Sequence, residues 1–263
     1  FKQSLFSLKD LHLANSDNIR NGQDYRQGKD VSTEQFAQTF GLRAVEFGNW
    51  VSQGKGFHDR ADLVNKAYDA LCDLANLLGK PKEFIGLGGN LAIAFGSRGS
   101  GNASAHYEPT YKVINLTKTK GNGTLAHEWF HAYDHYLDYS KNSTASAEKT
   151  LFSRTISLET LLDNAFASNN HLMHLYEQLP VSVKGDSTYH NATFMDVAYR
   201  SAVLDASKGS TYFSTNVELV ARFFESFVHY TLTKQGLKSE FLNNHTTRPQ
   251  DETDFYPYVN STE

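Results

Sequence analysis

The stretch that decides the fold is residues 126–134, which read Ala-His-Glu-Trp-Phe-His-Ala-Tyr-Asp. It lies in a run from Leu125 to about Tyr139 whose apolar spacing predicts a helix. His127 and His131 are four residues apart, so one helical turn presents both imidazoles on the same face, where they can hold a zinc ion. Glu128 follows the first imidazole and can take a proton from a water on that metal. The stretch therefore predicts a Zn²⁺ site with Glu128 as its general base.

Chance accounts poorly for this spacing. A chain of this composition is expected to contain only about 0.02 copies of His-Glu-x-x-His. The motif also stands directly after a predicted hairpin and a Gly-Asn-Gly turn at 121–123, which is the local context that such a site needs. We therefore interpret the motif as a metal site.

Two imidazoles leave a catalytic zinc site one protein ligand short. A third histidine in metzincin spacing would require glycine at 134 and histidine at 137, where the sequence has Asp134 and Leu137. Asp134 instead shares the face of His127 and His131. It can hydrogen-bond a ligand imidazole or anchor the helix to an arginine, and the sequence favours neither role.

A second predicted helix, from Val217 to about Thr233, offers carboxylates for the third position. Glu218 and Glu225 lie seven residues apart, on one face of an otherwise apolar helix. Carboxylates on such a face are costly unless they are paired or bound to a metal. One is therefore expected to bind the metal and the other to pair with a cation such as Arg222 or Arg98. We prefer Glu218 as the ligand, although periodicity alone leaves Glu225 open.

The remaining helical signals predict a mostly helical chain. Residues 32–35 have the pattern of a capping box, which opens a short helix that ends at Gly41. Residues 59–78 keep helical spacing throughout and stop at Gly79. Further helices are predicted at 158–167, 171–179 and 193–206.

One small sheet is predicted just before the central helix. Residues 91–95 form a short apolar run typical of a buried strand, and 105–107 and 113–116 flank a turn with Pro109, as in a hairpin. The glycine-rich run around Arg98 lacks the order of a phosphate-binding loop and is expected to be a turn. We expect an irregular N-terminal arm at 1–30 and one α+β domain at 31–263.

Composition and charge exclude several classes of protein. Hydrophobic residues make up 40% of the chain, which excludes an intrinsically disordered protein. A net charge of -4 argues against a dedicated nucleic-acid binder, and no apolar run approaches the ~20 residues that span a bilayer. The single Cys72 can form neither an internal disulfide nor a cysteine-rich metal site and is expected to be buried. The chain starts at Phe1 with no Met and no basic-then-apolar leader, so we expect a fragment or processed piece, and a partner in the form of the remainder of a longer polyprotein stays open. The cysteine count and the missing leader favour a reducing compartment.

Six segments carry a resemblance to a known family: residues 36–52, 91–101, 105–109, 113–118, 125–134 and 218–228. Together they resemble the first of the large polyvalent-protein-associated domains, which occur in very long proteins of phages and conjugative elements. The resemblance runs from about Val31 to Tyr258. It implies a zincin-type metallopeptidase, with a small mixed or antiparallel sheet packed on the metal-binding helix and a mostly helical C-terminal half. It also implies a place in the cytoplasm of the bacterial host.

The segment around Glu218 is also similar to the third-ligand helix of gluzincins. This similarity puts the ligand on Glu218 and the family's second acid on Arg222, which is a departure. It further implies that Tyr212, six positions upstream, donates a hydrogen bond to the oxyanion. Zincins hold an extended peptide along an edge strand, here the strand with His106 and Tyr107, although His106 can equally be an ordinary strand histidine.

The sequence thus predicts a zinc-dependent endopeptidase of a phage or mobile genetic element that cleaves a protein or peptide substrate. The alternative is a non-catalytic module that keeps the zincin scaffold to hold a host protein or a DNA-bound complex. The intact motif argues against this alternative, because a binding module has no need of Glu128. We expect no membrane partner, and the net charge disfavours a nucleic acid.

Overall fold

The computed structural model of the protein describes residues 19–48, 56–97, 105–117, 123–141, 197, 200–244 and 257–258. Within these residues the fold is α+β, with one small mixed sheet, as the sequence predicts. The helices are α1 (Thr33–Phe40), α2 (Gly56–Leu77), α3 (Leu125–Lys141) and α4 (Asn216–Lys234), with a 3-10 turn at Lys82–Gly86 and a further helical stretch at 200–208. The strands are β1 (Ala44–Phe47), β2 (Ala92–Phe95), β3 (Ala105–Glu108) and β4 (Val113–Leu116).

The sheet has the strand order β1-β2-β4-β3. Strands β1, β2 and β4 are parallel, with Ala92 of β2 opposite Ala44 of β1 and Val113 of β4. Strand β3 pairs antiparallel with β4 as the predicted hairpin and forms one edge of the described sheet. Strands β2 and β4 are buried over their whole length, which agrees with their apolar sequences apart from the buried Asn115 of β4.

Helix α1 begins and ends where the sequence predicts. The Ser32 hydroxyl accepts from the Gln35 N–H, the Gln35 side chain accepts from the Ser32 N–H, and Gly41 ends the helix in the left-handed conformation at φ 60°. Gly86 of the 3-10 turn packs against this end, where a Cβ would lie only 2.1 Å from the Gly41 carbonyl oxygen. The close approach of two backbones therefore requires glycine at 86.

Aromatic contacts fix helix α3 in the core. The Trp129 indole N–H donates to the Ile85 carbonyl at 3.0 Å, which ties α3 to the 3-10 turn. On the side of α4, the Phe130 ring stacks on Phe224 with 4.7 Å between ring centroids. These residues are almost fully buried, so α3 is held between the turn and α4 with its histidines directed towards the first turn of α4.

The segment 19–30 packs against helix α2. Arg20 forms a salt bridge with Asp73 at 2.7 Å, and Arg26 forms one with Asp69 at 3.0 Å. The backbone of Arg20 also forms an isolated antiparallel β-bridge with Ser239, beyond the end of α4. The division into an arm at 1–30 and a domain at 31–263 remains a prediction, although residues 19–30 are tied to the body by these contacts.

Other predictions can be compared residue by residue. Cys72 is fully buried in the core, as expected. The helical stretch at 200–208 overlaps the predicted helix at 193–206. The predicted helices at 158–167 and 171–179, and Arg98, lie outside the described residues. Among the described helices, none is both long enough and apolar enough to span a membrane.

Candidate metal centre and cleft

Two helices bring three potential metal ligands together. His127 Nε2 lies 3.2 Å from Glu218 Oε2, His131 Nε2 lies 3.3 Å from Glu218 Oε1, and the two Nε2 atoms are 3.0 Å apart. The two imidazoles come from adjacent turns of α3 and the carboxylate from the first turn of α4. Within the described chain, these three residues form a group able to hold a metal ion.

The spacing of these atoms fits a tetrahedral zinc ion. Zinc bonds of about 2.0–2.1 Å in tetrahedral geometry place neighbouring ligand atoms about 3.3 Å apart. The three separations of 3.0, 3.2 and 3.3 Å lie close to this value. Two imidazoles and one carboxylate are also a ligand set used by catalytic zinc, with the fourth position left for water or substrate.

Glu225, two turns further along α4, contacts the opposite nitrogen of His127. Its Oε2 lies 3.3 Å from His127 Nδ1, and the side chain is only 1% exposed. A carboxylate in this position fixes the ring and keeps the proton on Nδ1, so that Nε2 is free to bind a metal. Glu225 thus contacts the His127 imidazole and, within the described residues, forms no ion pair with Arg222. The other arginine that the sequence suggests, Arg98, lies outside the described residues.

The buried charges of the centre act strongly on one another. Burial opposes the charged form of His127, but the carboxylates of Glu218 and Glu225 outweigh it and raise the pKa of the imidazole to about 10. Burial likewise opposes ionisation of Glu218, but hydrogen bonds from His127 and His131 hold the pKa of that carboxyl well below its usual range. The centre therefore favours a carboxylate on α4 facing a proton or a metal ion on α3.

Glu128 lines the same cavity as His127, His131 and Glu218 and is buried, with 6% of its surface exposed. Burial raises the pKa of its carboxyl, although the nearby His127 and His131 oppose this shift. A raised pKa makes the carboxylate a stronger base than an exposed glutamate. The environment of Glu128 is therefore suited to accepting a proton.

Tyr212 lies in the loop before α4 and lines the same cavity, and about half of its surface is exposed. Loss of water around the hydroxyl and then the charge of the neighbouring Glu218 raise the pKa of Tyr212 above its ordinary value. The phenol is therefore protonated at neutral pH and can donate a hydrogen bond. The loose positional similarity to gluzincins thus corresponds to a hydroxyl beside the metal centre.

Asp205 orders the loop that carries Tyr212. Its carboxylate accepts hydrogen bonds from the Phe213 and Ser214 N–H groups at 2.9 and 2.8 Å and from the Ser214 hydroxyl at 2.7 Å. Burial raises the pKa of Asp205, but these hydrogen bonds outweigh it, and the net shift is downward. The ionised carboxylate therefore stabilises the folded loop.

The Asp205→Asn variant is expected to lose about 1–3 kcal/mol of stability at pH 7, because the amide cannot accept all three hydrogen bonds. Since the folded pKa lies below the unfolded one, the stabilisation is complete above about pH 4 and is lost as the pH falls through the folded pKa. Urea unfolding at pH 7 and pH 3 should show that the deficit shrinks at pH 3. The exposed Asp62→Asn variant is the control, and an equal deficit at both pH values would contradict the role of the charge.

A cavity of about 630 Å³ opens onto the three candidate metal ligands, and we call it the cleft. Its residues come from β3, α3, α4, the Tyr212 loop and residues 257–258. On β3, His106 Nε2 lies 3.1 Å from Glu108 Oε1, and the Tyr107 hydroxyl lies 2.8 Å from His135 Nδ1. The edge strand thus forms one side of the cleft, and the Tyr107 hydroxyl already has a partner.

Two buried arginines hold residues 257–258 at another side of the cleft. Arg222 Nε donates to the Pro257 carbonyl at 3.0 Å, and Arg200 Nη1 donates to the Tyr258 carbonyl at 3.2 Å. Arg222 Nη2 also donates to the Ser201 hydroxyl at 3.1 Å and to the Phe213 carbonyl. Burial lowers the pKa of Arg222, but a guanidinium remains charged at neutral pH.

Part of the chain matches a known family. Residues 204–263 match the family model of large polyvalent protein-associated domain 1. The matched region contains α4, with Glu218, Arg222 and Glu225, whereas α3 with its two histidines lies before it. The polyvalent-protein part of the resemblance is thus supported over a shorter stretch than the sequence suggested. No curated protein and no solved structure matches the chain.

Sequence reasoning missed several contributors to the site. Arg200 and the pair Pro257–Tyr258 act through contacts between distant parts of the chain, which no local pattern marks. Asp205 contacts Phe213 and Ser214 across a loop, eight and nine residues away, which is not a helical or strand spacing. Asp134 is buried on α3, with 1% of its surface exposed. Glu225 makes a contact with a ligand imidazole at His127, and the role of Asp134 stays a prediction.

Proposed function

We propose that the protein is a zinc-dependent endopeptidase, with Zn²⁺ held by His127, His131 and Glu218. The observation that carries this proposal is the convergence of both imidazoles on one carboxylate. His127 Nε2 lies 3.2 Å from Glu218 Oε2, His131 Nε2 lies 3.3 Å from Glu218 Oε1, and the two Nε2 atoms are 3.0 Å apart, which are separations of the size found between ligand atoms of tetrahedral zinc. A zinc ion in such a site supplies a Lewis acid that makes water nucleophilic near neutral pH.

Glu128 is the proposed general base. It follows His127 on α3, lines the cleft and has a raised pKa, so it can take a proton from the attacking water. The protonated carboxyl then delivers the same proton to the leaving amine. This second step requires a group that is acidic enough to release a proton, and a raised pKa keeps the carboxyl protonated until the amine leaves.

Two further groups support the reaction. Tyr212 keeps its proton and lies near Glu218, so its hydroxyl can donate to the oxygen on which negative charge develops. Glu225 holds the His127 ring through Nδ1 and thereby orients the imidazole. Along β3, the main-chain groups that face away from β4 can pair with an extended peptide and lay it across the cleft.

The proposed setting is a polyvalent protein of a phage or conjugative element that acts in the cytoplasm of the bacterial host. The match of residues 204–263 to a polyvalent-protein domain supports this setting. The substrate is then a protein or peptide of that compartment, or the remainder of the same polyprotein.

Cleavage of a complex peptide mixture tests the proposal. Zinc-loaded protein should generate new termini in a digest of a bacterial proteome, as identified by mass spectrometry. Removal of zinc by a chelator should abolish the new termini, and added zinc should restore them. A zinc-loaded protein that generates no new termini across the mixture would contradict endopeptidase activity and favour a binding module.

A further inference from the structure

Arg222 carries a charge deep inside the protein, and no carboxylate of the described residues forms an ion pair with it. Only 3% of its surface is exposed. Its acceptors are the Pro257 carbonyl, the Phe213 carbonyl and the Ser201 hydroxyl, all of which are neutral. Within the described part of the chain, no carboxylate oxygen lies within ion-pair distance of the guanidinium. Buried charges are normally paired, so this arrangement is unusual for a purely structural arginine.

The acids nearest to Arg222 on α4 are engaged elsewhere. Glu218, four residues earlier, contacts both ligand imidazoles, and Glu225, three residues later, contacts His127 through Oε2. Their charges act on the guanidinium only through space. Neither of these acids therefore pairs directly with Arg222, and its guanidinium keeps hydrogen-bonding capacity for an anion in the cleft.

One nitrogen of the guanidinium is available for such a ligand. Nε and Nη2 make the hydrogen bonds described above, whereas Nη1 has no acceptor among the residues that the structure describes. Arg222 is one of the residues that line the cleft, so a ligand bound there can reach its guanidinium.

The surroundings of Arg222 favour recognition of a carboxylate. Its hydrogen bonds hold the guanidinium in one position before a ligand arrives, which lowers the entropy lost on binding. Phe213, Val217 and Pro257 give the neighbouring wall of the cleft an apolar character. A charge-assisted hydrogen bond in such a site is stronger than one in water.

We propose that Arg222 binds a carboxylate of the substrate and so makes the enzyme selective for peptides with a negative charge close to the cleaved bond. This inference rests on the proposed function, because the metal centre locates that bond. Residues four apart on a helix lie about 6 Å apart, so Arg222 is about 6 Å from the ligand Glu218 along α4. This distance corresponds to one or two residues of an extended substrate, counted from the cleaved bond. The carboxylate is either an acidic side chain or the free C-terminus of a peptide.

Binding of three matched fluorescent peptides tests this inference. All share one uncharged sequence: the first ends in an amide, the second in a free carboxylate, and the third ends in an amide but has aspartate after the central residue. Anisotropy titrations use zinc-loaded Glu128→Gln protein, which should bind peptides without cleaving them. At least one carboxylate peptide should bind about 10–100-fold more tightly than the neutral amide, as expected for a hydrogen bond to a charged group. The tighter of the two identifies the source of the carboxylate.

Two variants separate recognition from structure. Arg222→Gln should abolish the preference for the carboxylate. Arg200→Gln should keep it, because Arg200 is also a buried arginine that holds residues 257–258 but does not line the cleft. Equal binding of all three peptides by the Glu128→Gln protein in which Arg222 is intact would overturn the inference, whatever the stability of the variants. A preference that persists in Arg222→Gln, or that both variants lose, would overturn it as well.

Zinc content separates this inference from the proposed function. A chain that takes up no zinc would overturn the proposed function. In that case the peptide comparison on the metal-free protein still decides whether the Arg222 site prefers a carboxylate. A chain that takes up zinc but binds the three peptides equally would leave the metal centre intact and remove only the selectivity.

Discussion

Glu128→Gln is expected to lower the rate of peptide cleavage by about 10²–10⁴-fold, because an amide cannot accept the proton of the attacking water. The zinc content should not change, since Glu128 is not one of the three grouped ligand residues. The fold should also survive, because the amide keeps the shape of a side chain that is buried beside the metal centre.

Cleavage of a peptide identified in the proteome digest measures this effect, with zinc determined on the same samples. Glu83→Gln is the matched control, because Glu83 is an exposed glutamate in the 3-10 turn and should keep the wild-type rate. A Glu128→Gln protein that retains both zinc and the wild-type rate would exclude Glu128 as the base. Loss of zinc together with activity would instead make Glu128 part of the metal site.

Glu218→Ala is expected to lose zinc to a moderate chelator, because the variant lacks the carboxylate that faces both Nε2 atoms. Glu225→Ala should keep the metal with an affinity about 10–100-fold lower, as is typical when a group that only orients a ligand is removed. The difference follows from the two contacts of His127: Glu218 lies at Nε2, whereas Glu225 lies at Nδ1 on the other side of the ring.

Competition with a chromophoric chelator measures both affinities. Glu225→Gln provides a matched control, because its amide oxygen can still accept the Nδ1 proton, and its affinity should fall between those of the wild type and Glu225→Ala. Retained zinc in Glu218→Ala together with loss of zinc in Glu225→Ala would reverse the assignment of the third ligand.

The parts of the fold that the sequence predicts well are those set by neighbouring residues. The ends of α1 follow from a capping box at 32–35 and a glycine at 41. The hairpin of β3 and β4 follows from two short strand-like segments that flank a turn with Pro109. In each case the interacting residues lie within a few positions of one another, so their spacing alone indicates the structure.

Strand β1 was missed for the opposite reason. Residues 44–47 are only four long and run into Gly48, which makes them look like part of a glycine-bearing loop. Their strand character comes from parallel pairing with β2, where Ala44 lies opposite Ala92. Parallel pairing joins residues far apart in the chain, and no local pattern records it.

The candidate site divides in the same way. The imidazole pair could be predicted because four residues make one helical turn. The choice between Glu218 and Glu225 could not be made from helical periodicity alone, because residues seven apart lie on the same face of α4. The packing of α4 on α3, with Phe224 stacked on Phe130, puts Glu218 beside the two Nε2 atoms and leaves Glu225 at Nδ1. That packing depends on residues more than ninety positions apart.

The zinc stoichiometry of the purified protein tests the central claim most directly. Elemental analysis after dialysis against micromolar zinc should find one zinc ion per chain. The double variant His127→Ala, His131→Ala should contain none, because it removes both imidazoles from the group of three ligands. A wild-type protein that binds no zinc at micromolar metal, or a double variant that binds as much as the wild type, would contradict the account.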